Sequence, residues 1–476
     1  MSIAPHEFLN LGEILEATGG TLLAGDPAMR PLGISTDTRT LLPGELFVAL
    51  KGERFDGHDF ALSAMAKGAC GVLMEKGRLR ELIHRPQASR CALVEVQDTL
   101  FALGEIARTW RQLHGAPVVG ITGSNGKTTT KEMLASILER SRTVLKNKGN
   151  LNNRIGLPLT LLGLRRHHRA VVLEMGMNEP GEIARLCQIA RPQLGLITQV
   201  APAHLEGLGS LEGVAREKGE LFHALGTDGT ALVNLDDSWI VRLARGCQAH
   251  KVSFGFAPGA TVRAVDVRPF RDSGAELSLE LAGESCNLHL KTPGMPMVRA
   301  ALAASAAAWV LGAALDEIKD ALEGFSAFEG RLKVMNLSRG GVLIDDTYNA
   351  NPVSMAAALE LLCKGGSGRT VAVLGDMREL GAAAPCAHRE LGETAARLGV
   401  KVLLAVGKWA AWVAQGAHDA AGDGQMHILM ASNCEEAWEI LRDVMLPGDR
   451  ILVKGSRAAA MEKVVEALKG FLSEAD

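Results

Sequence analysis

The chain has 476 residues, 47% of them hydrophobic and 22% charged, with a formal net charge of −3. That length predicts two or three domains, each able to bury a core, and the composition is that of a soluble globular protein. No basic run points to a nucleic-acid binder. The eight cysteines form no CxxC pair, which favours reduced thiols in a cytoplasm over a disulfide framework or a zinc site.

The opening stretch, MSIAPHEFLNLGEILEATGG, has no basic segment followed by an apolar one, so no signal peptide is expected. Residues 1–97 hold short strands and turns, such as GELFVALKG (44–52). A helical stretch, TLFALGEIARTWRQLH (99–114), marks the first boundary. Strand candidates then follow at VVGIT (118–122), AVVLEMG (170–176), LGLITQV (194–200) and GTALVNLDD (229–237), mostly separated by helical runs. The run AALAASAAAWVLGAAL (300–315) is shorter than the ~20 residues of a membrane span, and its alanines suit a buried helix. FSAFEGRLKVM (325–335) reads as a break. Beyond it GVLIDDTYNANP, TVAVLGDM, KVLLAVG and RILVKGS form a second alternating series. Alternation of this kind predicts an α/β protein. The expected domains are 1–97, a smaller α/β domain; 98–325, with a mostly parallel sheet flanked by helices; and 326–476, a Rossmann-like α/β domain.

The segment GITGSNGKTTTKEML (120–134) joins a strand to a helix through a glycine-rich turn. Glycines let backbone N–H groups approach an anion, and the helix directs its positive end to the same spot. Lys127 is suited to the outer phosphates of a nucleotide and the Thr128 hydroxyl to Mg²⁺. The strict G-x-x-x-x-G-K-[ST] pattern fails by one residue, because Ile121 stands where its first glycine belongs. In open α/β sheets ligands sit at the carboxyl ends of strands. Three such ends present Thr128, Glu174 and His204, a hydroxyl, a carboxylate and an imidazole that could hold hard cations beside a triphosphate. The plainer readings are a helix-capping Glu174 and an exposed loop His204.

GITGSNGKTTTKEML, NKGNLNNRIGLPLTLL, EMGMNEPGEI and TQVAPAHLEGLGSLEGVAREKGELF together resemble the central domain of the Mur ligases, ATP-dependent amide-bond ligases of peptidoglycan precursor synthesis. The flanks narrow the resemblance. ISTDTRTLLPGELFVALKGERFDGHDF, IDDTYNANPVSMAAAL, GDMRELG, HRELGE and KGSRAAAMEKVV are similar to members that add D-alanyl-D-alanine to UDP-N-acetylmuramoyl-tripeptide. The likeness runs through the whole chain in order, and no Asp-Asn-Pro-Arg motif of the ligase adding the third amino acid is present.

The resemblance implies three domains, for UDP-substrate, ATP and incoming amine, and an acyl-phosphate route in a cytoplasmic monomer. It implies that Gly123, Ser124, Asn125, Gly126, Lys127, Thr128 and Thr129 bind ATP, helped by Arg331 and Asp346 from the last domain. Thr128, Glu174 and His204 would hold magnesium, with Lys218 carbamylated beside it; Lys127, Lys218 and His204 are the implied catalytic residues. Ser35, Asp37, Arg39, Asn150, Asn152 and Asn153 would face the UDP-substrate. Lys454, Ser456 and Arg457 are a candidate anion site for the amine substrate's carboxylate. Read without the family, Lys218 is a solvated helix lysine, STDTR a polar turn, the asparagines loop caps and Arg331 a surface arginine. One departure stands out: the family's Gly-x-His-Asn-x-x-Asn segment is GMPMVRA here, with Pro296, Met297 and Ala300 in place of polar residues. A different amide ligase, such as a folylpolyglutamate synthetase, or a nucleotide-dependent switch are the competing readings.

Overall fold

The computed structural model describes residues 8–79, 82, 84–85, 90–270, 274–338, 340–422 and 424–473. The stretch read for a leader therefore lies, over residues 1–7, outside the described residues. The chain forms two compact units, Met1–Gly120 with Arg142–Gly176 and Glu182–Gln193, and Ile121–Ser141 with Met177–Gly181 and Leu194–Asp476.

In the first unit five strands, β1 (Thr21–Ala24), β2 (Ile34–Ser35), β3 (Leu46–Val48), β4 (Gly71–Glu75) and β5 (Ala92–Val96), lie in the order β1-β5-β4-β3-β2. Only β1 runs antiparallel to its neighbour. The run LFV of β3 is buried at every position, as expected of a parallel strand covered on both faces. Phe47, Val72, Met74 and Leu93 pack there against Ala61, Ala64 and Met65 of a short helix. The helix Thr99–Gln112 starts where the Asp98 side chain accepts from Phe101 N, an ordinary N-cap. Its apolar stripe, Ala102, Leu103, Ile106, Ala107 and Trp110, is buried, with the helical period of three to four residues. Trp110 Nε1 donates to Leu164 O, which pins the helix to its neighbour. The same unit holds the first residues of β6 (Val118–Thr122), with β8 (Ala170–Glu174) next to it and β7 (Val144–Lys146) outermost.

In the second unit the end of β6 is followed in order by β9 (Leu194–Ile197), β10 (Thr230–Asn234), β11 (His250–Gly255), β12 (Val262–Phe270), β13 (Gly274–Leu281) and β14 (Glu284–Leu290). From β9 to β12 the pairs are parallel; β12, β13 and β14 form an antiparallel meander. Four of these strands, β11 to β14, were not among the strand candidates. The helix Met295–Val310 is buried without interruption from Ala300 to Ala308, as expected of a helix that is apolar all round. Its small residues let it lie against the helix Lys127–Leu138.

A third sheet, also in the second unit, contains β15 (Lys333–Asn336), β16 (Val342–Asp346), β17 (Thr370–Gly375), β18 (Val402–Val406), β19 (His427–Ala431) and β20 (Arg450–Lys454), in the order β15-β16-β20-β17-β18-β19. All neighbours are parallel except the edge pair of β15 and β16. The carboxyl ends of β16, β20 and β17 are thus adjacent. They carry the segments DDTYNAN, KGSR and GDMRELG.

Candidate active site

The phosphate loop is built on backbone freedom at two positions. Gly123 has φ +147°, and a Cβ there would lie 1.9 Å from Thr198 Oγ1. Gly126, at φ +80°, begins the helix Lys127–Leu138 with no side chain capping it, so the first N–H groups face outward for an anion. Lys127 Nζ folds back onto Gly123 O at 2.8 Å. Ser124 is not directed at a ligand: its hydroxyl donates to Ala201 O and accepts from Ala201 N, both at 2.9 Å. Asn125 donates to Gln199 Oε1 at 3.1 Å, and Thr129 is buried.

Residues flanking the strands β15 and β16 reach this loop. Arg331 Nη2 donates to Thr128 Oγ1 at 2.7 Å, and the guanidinium lies 3.9 Å from the centre of the Tyr348 ring. A planar cation stacks favourably on such a face. Asn351 Nδ2 donates to Asn125 Oδ1 at 2.7 Å. Arg331 is therefore no isolated surface arginine; Tyr348 and Asn351, both inside the DDTYNAN segment, are partners that no sequence motif marks.

Asp346, at the end of β16, accepts from Leu332 N and from Lys454 Nζ at 2.6 Å. Lys454 also donates to Asn349 O at 2.8 Å and is buried. Its ammonium is thus tied to its own domain. Ser456 is buried with its hydroxyl unpartnered among the described residues, while Arg457 is exposed and lies 3.1 Å from Glu462.

Lys218 departs furthest from the plain reading. It sits in the helix Leu211–His223 and is 1% exposed. Burial drives its amine well below the usual lysine range; the charge of Lys127 pushes it the same way, and Glu217 opposes. A neutral amine is a nucleophile, which an ammonium is not. Glu217 is itself held by Gly181 N at 2.8 Å.

His204 has a left-handed backbone, φ +55°, at the start of a short helix. Its Nδ1 lies 2.5 Å from Glu379 Oε2, close but not aligned as a hydrogen bond. The His204 contact holds the Glu379 carboxyl below the usual carboxylate range, with Lys127 adding to it. Lys127 therefore acts electrostatically on Lys218 and on Glu379 alike. No cluster of three or more His, Cys, Asp or Glu of metal-binding geometry occurs among the described residues. Thr128 and His204 of the second unit offer a hydroxyl and an imidazole, and magnesium asks for few protein ligands, filling the rest of its shell with waters and substrate phosphates.

In the first unit Glu174 is 3% exposed at the end of β8. Its Oε1 accepts from Asn152 Nδ2 at 2.8 Å, while Asn147 bonds both its N–H and its C=O. Asn147, fully buried, lies in the NKGNLNN run, where nothing in the sequence separates it from its exposed neighbours. Asn153 Oδ1 accepts from Gly156 N and Ile155 N, a loop cap, and Asn150 is exposed. STDTR is a self-bonded turn after β2. Ser35 bonds Asp37, and Asp37 pairs with the exposed Arg39 at 2.6 Å. The hydrogen bond from Arg39 lowers the Asp37 carboxyl to about 2.

At the departure noted above, Gly294 takes φ +102° and Met297 and Ala300 are each 3% exposed, so apolar packing fills these positions. Arg299 instead lies over Phe256, 3.6 Å from Asp236.

Three family models match: the Mur ligase middle domain over residues 121–308, the Mur ligase glutamate ligase domain over 330–457 and the Mur ligase family catalytic domain over 32–111. The UDP-N-acetylmuramoyl-tripeptide–D-alanyl-D-alanine ligase of Escherichia coli is 40% identical over 97% of this chain and 98% of its own. A crystal structure of MurF from Acinetobacter baumannii superposes with a TM-score of 0.88 at 33% identity, covering 98% of this chain and 100% of that one. MurF ligase from Thermotoga maritima, solved in complex with ADP, gives 0.82 at 29% identity over 93% and 98%. The fold is accordingly a three-domain α/β fold with mostly parallel sheets, and the chain belongs to the Mur ligase family.

Proposed function

We propose that this chain joins D-alanyl-D-alanine to UDP-N-acetylmuramoyl-tripeptide with ATP, in peptidoglycan precursor synthesis. The end-to-end likeness to the E. coli relative carries the reading, and the ADP in the T. maritima relative supports nucleotide use. The tripeptide's terminal carboxylate attacks the γ-phosphorus and ADP leaves. The amine of the dipeptide then attacks the acyl-phosphate carbon, loses a proton, and phosphate departs as the amide forms.

Two anions meet in the first step, so positive charge has to surround them. In this reading the loop Gly123 to Thr129 grips the phosphates through Lys127 and its backbone N–H groups, except that of Ser124, which donates to Gln199 O, and Arg331 brings a further charge with Asp346 orienting its segment. Magnesium, bound by Thr128, Glu174 and His204, would neutralise phosphate charge. Burial, which favours the uncharged form of the Lys218 amine, suits it to take up CO₂ as a carbamate, an anion able to orient that ion. An ammonium there would repel it. Ser35, Asp37, Arg39, Asn150, Asn152 and Asn153 would meet the UDP-substrate; Lys454, Ser456 and Arg457 the dipeptide's carboxylate. The domains are taken as 1–97, 98–325 and 326–476 in a cytoplasmic monomer. Phosphate release measured over a matrix of UDP-muramoyl peptides and amines tests the whole reading: turnover that needs both the tripeptide and D-alanyl-D-alanine is expected, and turnover without either rejects it.

A further inference from the structure

The segments GDMRELG and HRELGE do not enter the chemistry above, yet together they build a stiff arm. Asp376, just past β17, accepts from Lys408 N and Trp409 N at 3.0 and 2.9 Å, and its carbonyl accepts from Ser456 N at 3.0 Å. Met377 N donates to Nε2 of the buried His388 at 2.9 Å, while His388 Nδ1 donates to Ala384 O and the ring stacks on Trp409. With both ends of its root fixed, the loop projects Glu379, a non-glycine residue held at φ +62°. Such a conformation is costly for a side-chain-bearing residue and persists only when its surroundings enforce it. Glu379 O accepts from Glu206 N at 3.2 Å, and its carboxylate meets His204 Nδ1.

We propose that Glu379 is a positioning residue for His204, carried to it by the C-terminal domain, so that docking of that domain completes the cation site. The inference rests on the reading of His204 as a magnesium ligand. Histidines that bind metals commonly give their other ring N–H to a carboxylate, which fixes tautomer and ring orientation. With Glu379 at Nδ1, the lone pair is left on Nε2 for a cation. The carboxylate comes from the C-terminal domain, so the cation would be held best when that domain is seated.

The test is Mn²⁺ binding followed by EPR in the full chain with ADP, on the wild type, His204→Ala, Glu379→Ala and Glu379→Gln. Melting temperature and metal-free ADP affinity are measured alongside. Expected are weaker Mn²⁺ binding in His204→Ala and a loss of about tenfold or more in Glu379→Ala, with ADP affinity and melting unchanged. Glu379→Gln should stay near wild type, since its amide oxygen can occupy the place the carboxylate oxygen holds beside Nδ1. Unchanged Mn²⁺ affinity in Glu379→Ala beside a defective His204→Ala overturns the positioning role alone. Equal losses in Glu379→Ala and Glu379→Gln also overturn it, by making Glu379 a ligand itself. Wild-type binding by His204→Ala overturns the ligand role and this inference with it.

Discussion

Burying the Lys218 amine costs stability, and the cost has a pH signature. Its folded pKa lies below the ~10.4 of an unfolded lysine, so between the two values the unfolded chain holds the extra proton. Stability therefore rises with pH through that window, and the full penalty applies below the folded value. In CO₂-free, metal-free buffer Lys218→Met should melt at a higher temperature than wild type and lose the pH slope, while amide formation falls to near background. A melting temperature unchanged at every pH would show the amine to be solvated. Lys127→Ala should lose at least about 10²-fold in turnover, the scale of one transition-state donor, with UDP-substrate affinity preserved in equilibrium binding. The Asp37 carboxyl should titrate near 2 by NMR and move up to the ordinary carboxylate range in Arg39→Ala. At this scale the burial of Lys218 was legible: Val214, Ala215, Lys218, Leu221 and Phe222 share one stripe and are all buried. Reading the lysine by its charge alone hid that. Glu379 had no such signal, because its partner is 175 positions away in the chain and only the fold brings them together.

Among the elements, the strands that sequence patterning found are those buried on both faces. β6, β8, β9, β18 and β20 are buried at every position around apolar stretches, each ending in a polar or glycine-rich loop. β13 and β14 alternate buried and open positions instead, and AELSLELAGESCNLHLK carries that alternation around an Ala-Gly turn. The period of two was there to be read; apolar run length was the wrong measure for a sheet with one wet face. The helix Met295–Val310 was legible from its alanines, and its packing has a consequence. Ala304 is fully buried in a helix that lies against Lys127–Leu138. Ala304→Leu should destabilise by about 1–3 kcal/mol in urea titrations and raise the KM for ATP, because the displaced neighbour carries the phosphate loop.

For the whole molecule, the family was legible because its motifs occur in order along the full chain, whereas the contacts between distant segments were not. Arg331 and Thr128 are 203 positions apart. Arg331→Ala should keep a folded, ADP-binding protein and lose most of its kcat, since in the proposed reaction the charge it brings to Thr128 would act on the reacting phosphates. Full kcat in that variant would remove the arginine from the reaction. The stacking of Arg331 on Tyr348 adds something practical, because Tyr348 is the single tyrosine of the chain. Biosynthetic fluorotyrosine would thus give one ¹⁹F resonance, with no assignment problem, on the ring that underlies the Arg331 guanidinium. The molecule carries a native spectroscopic reporter, whose line shape under nucleotide, peptide and dipeptide would time each rearrangement separately from the chemistry.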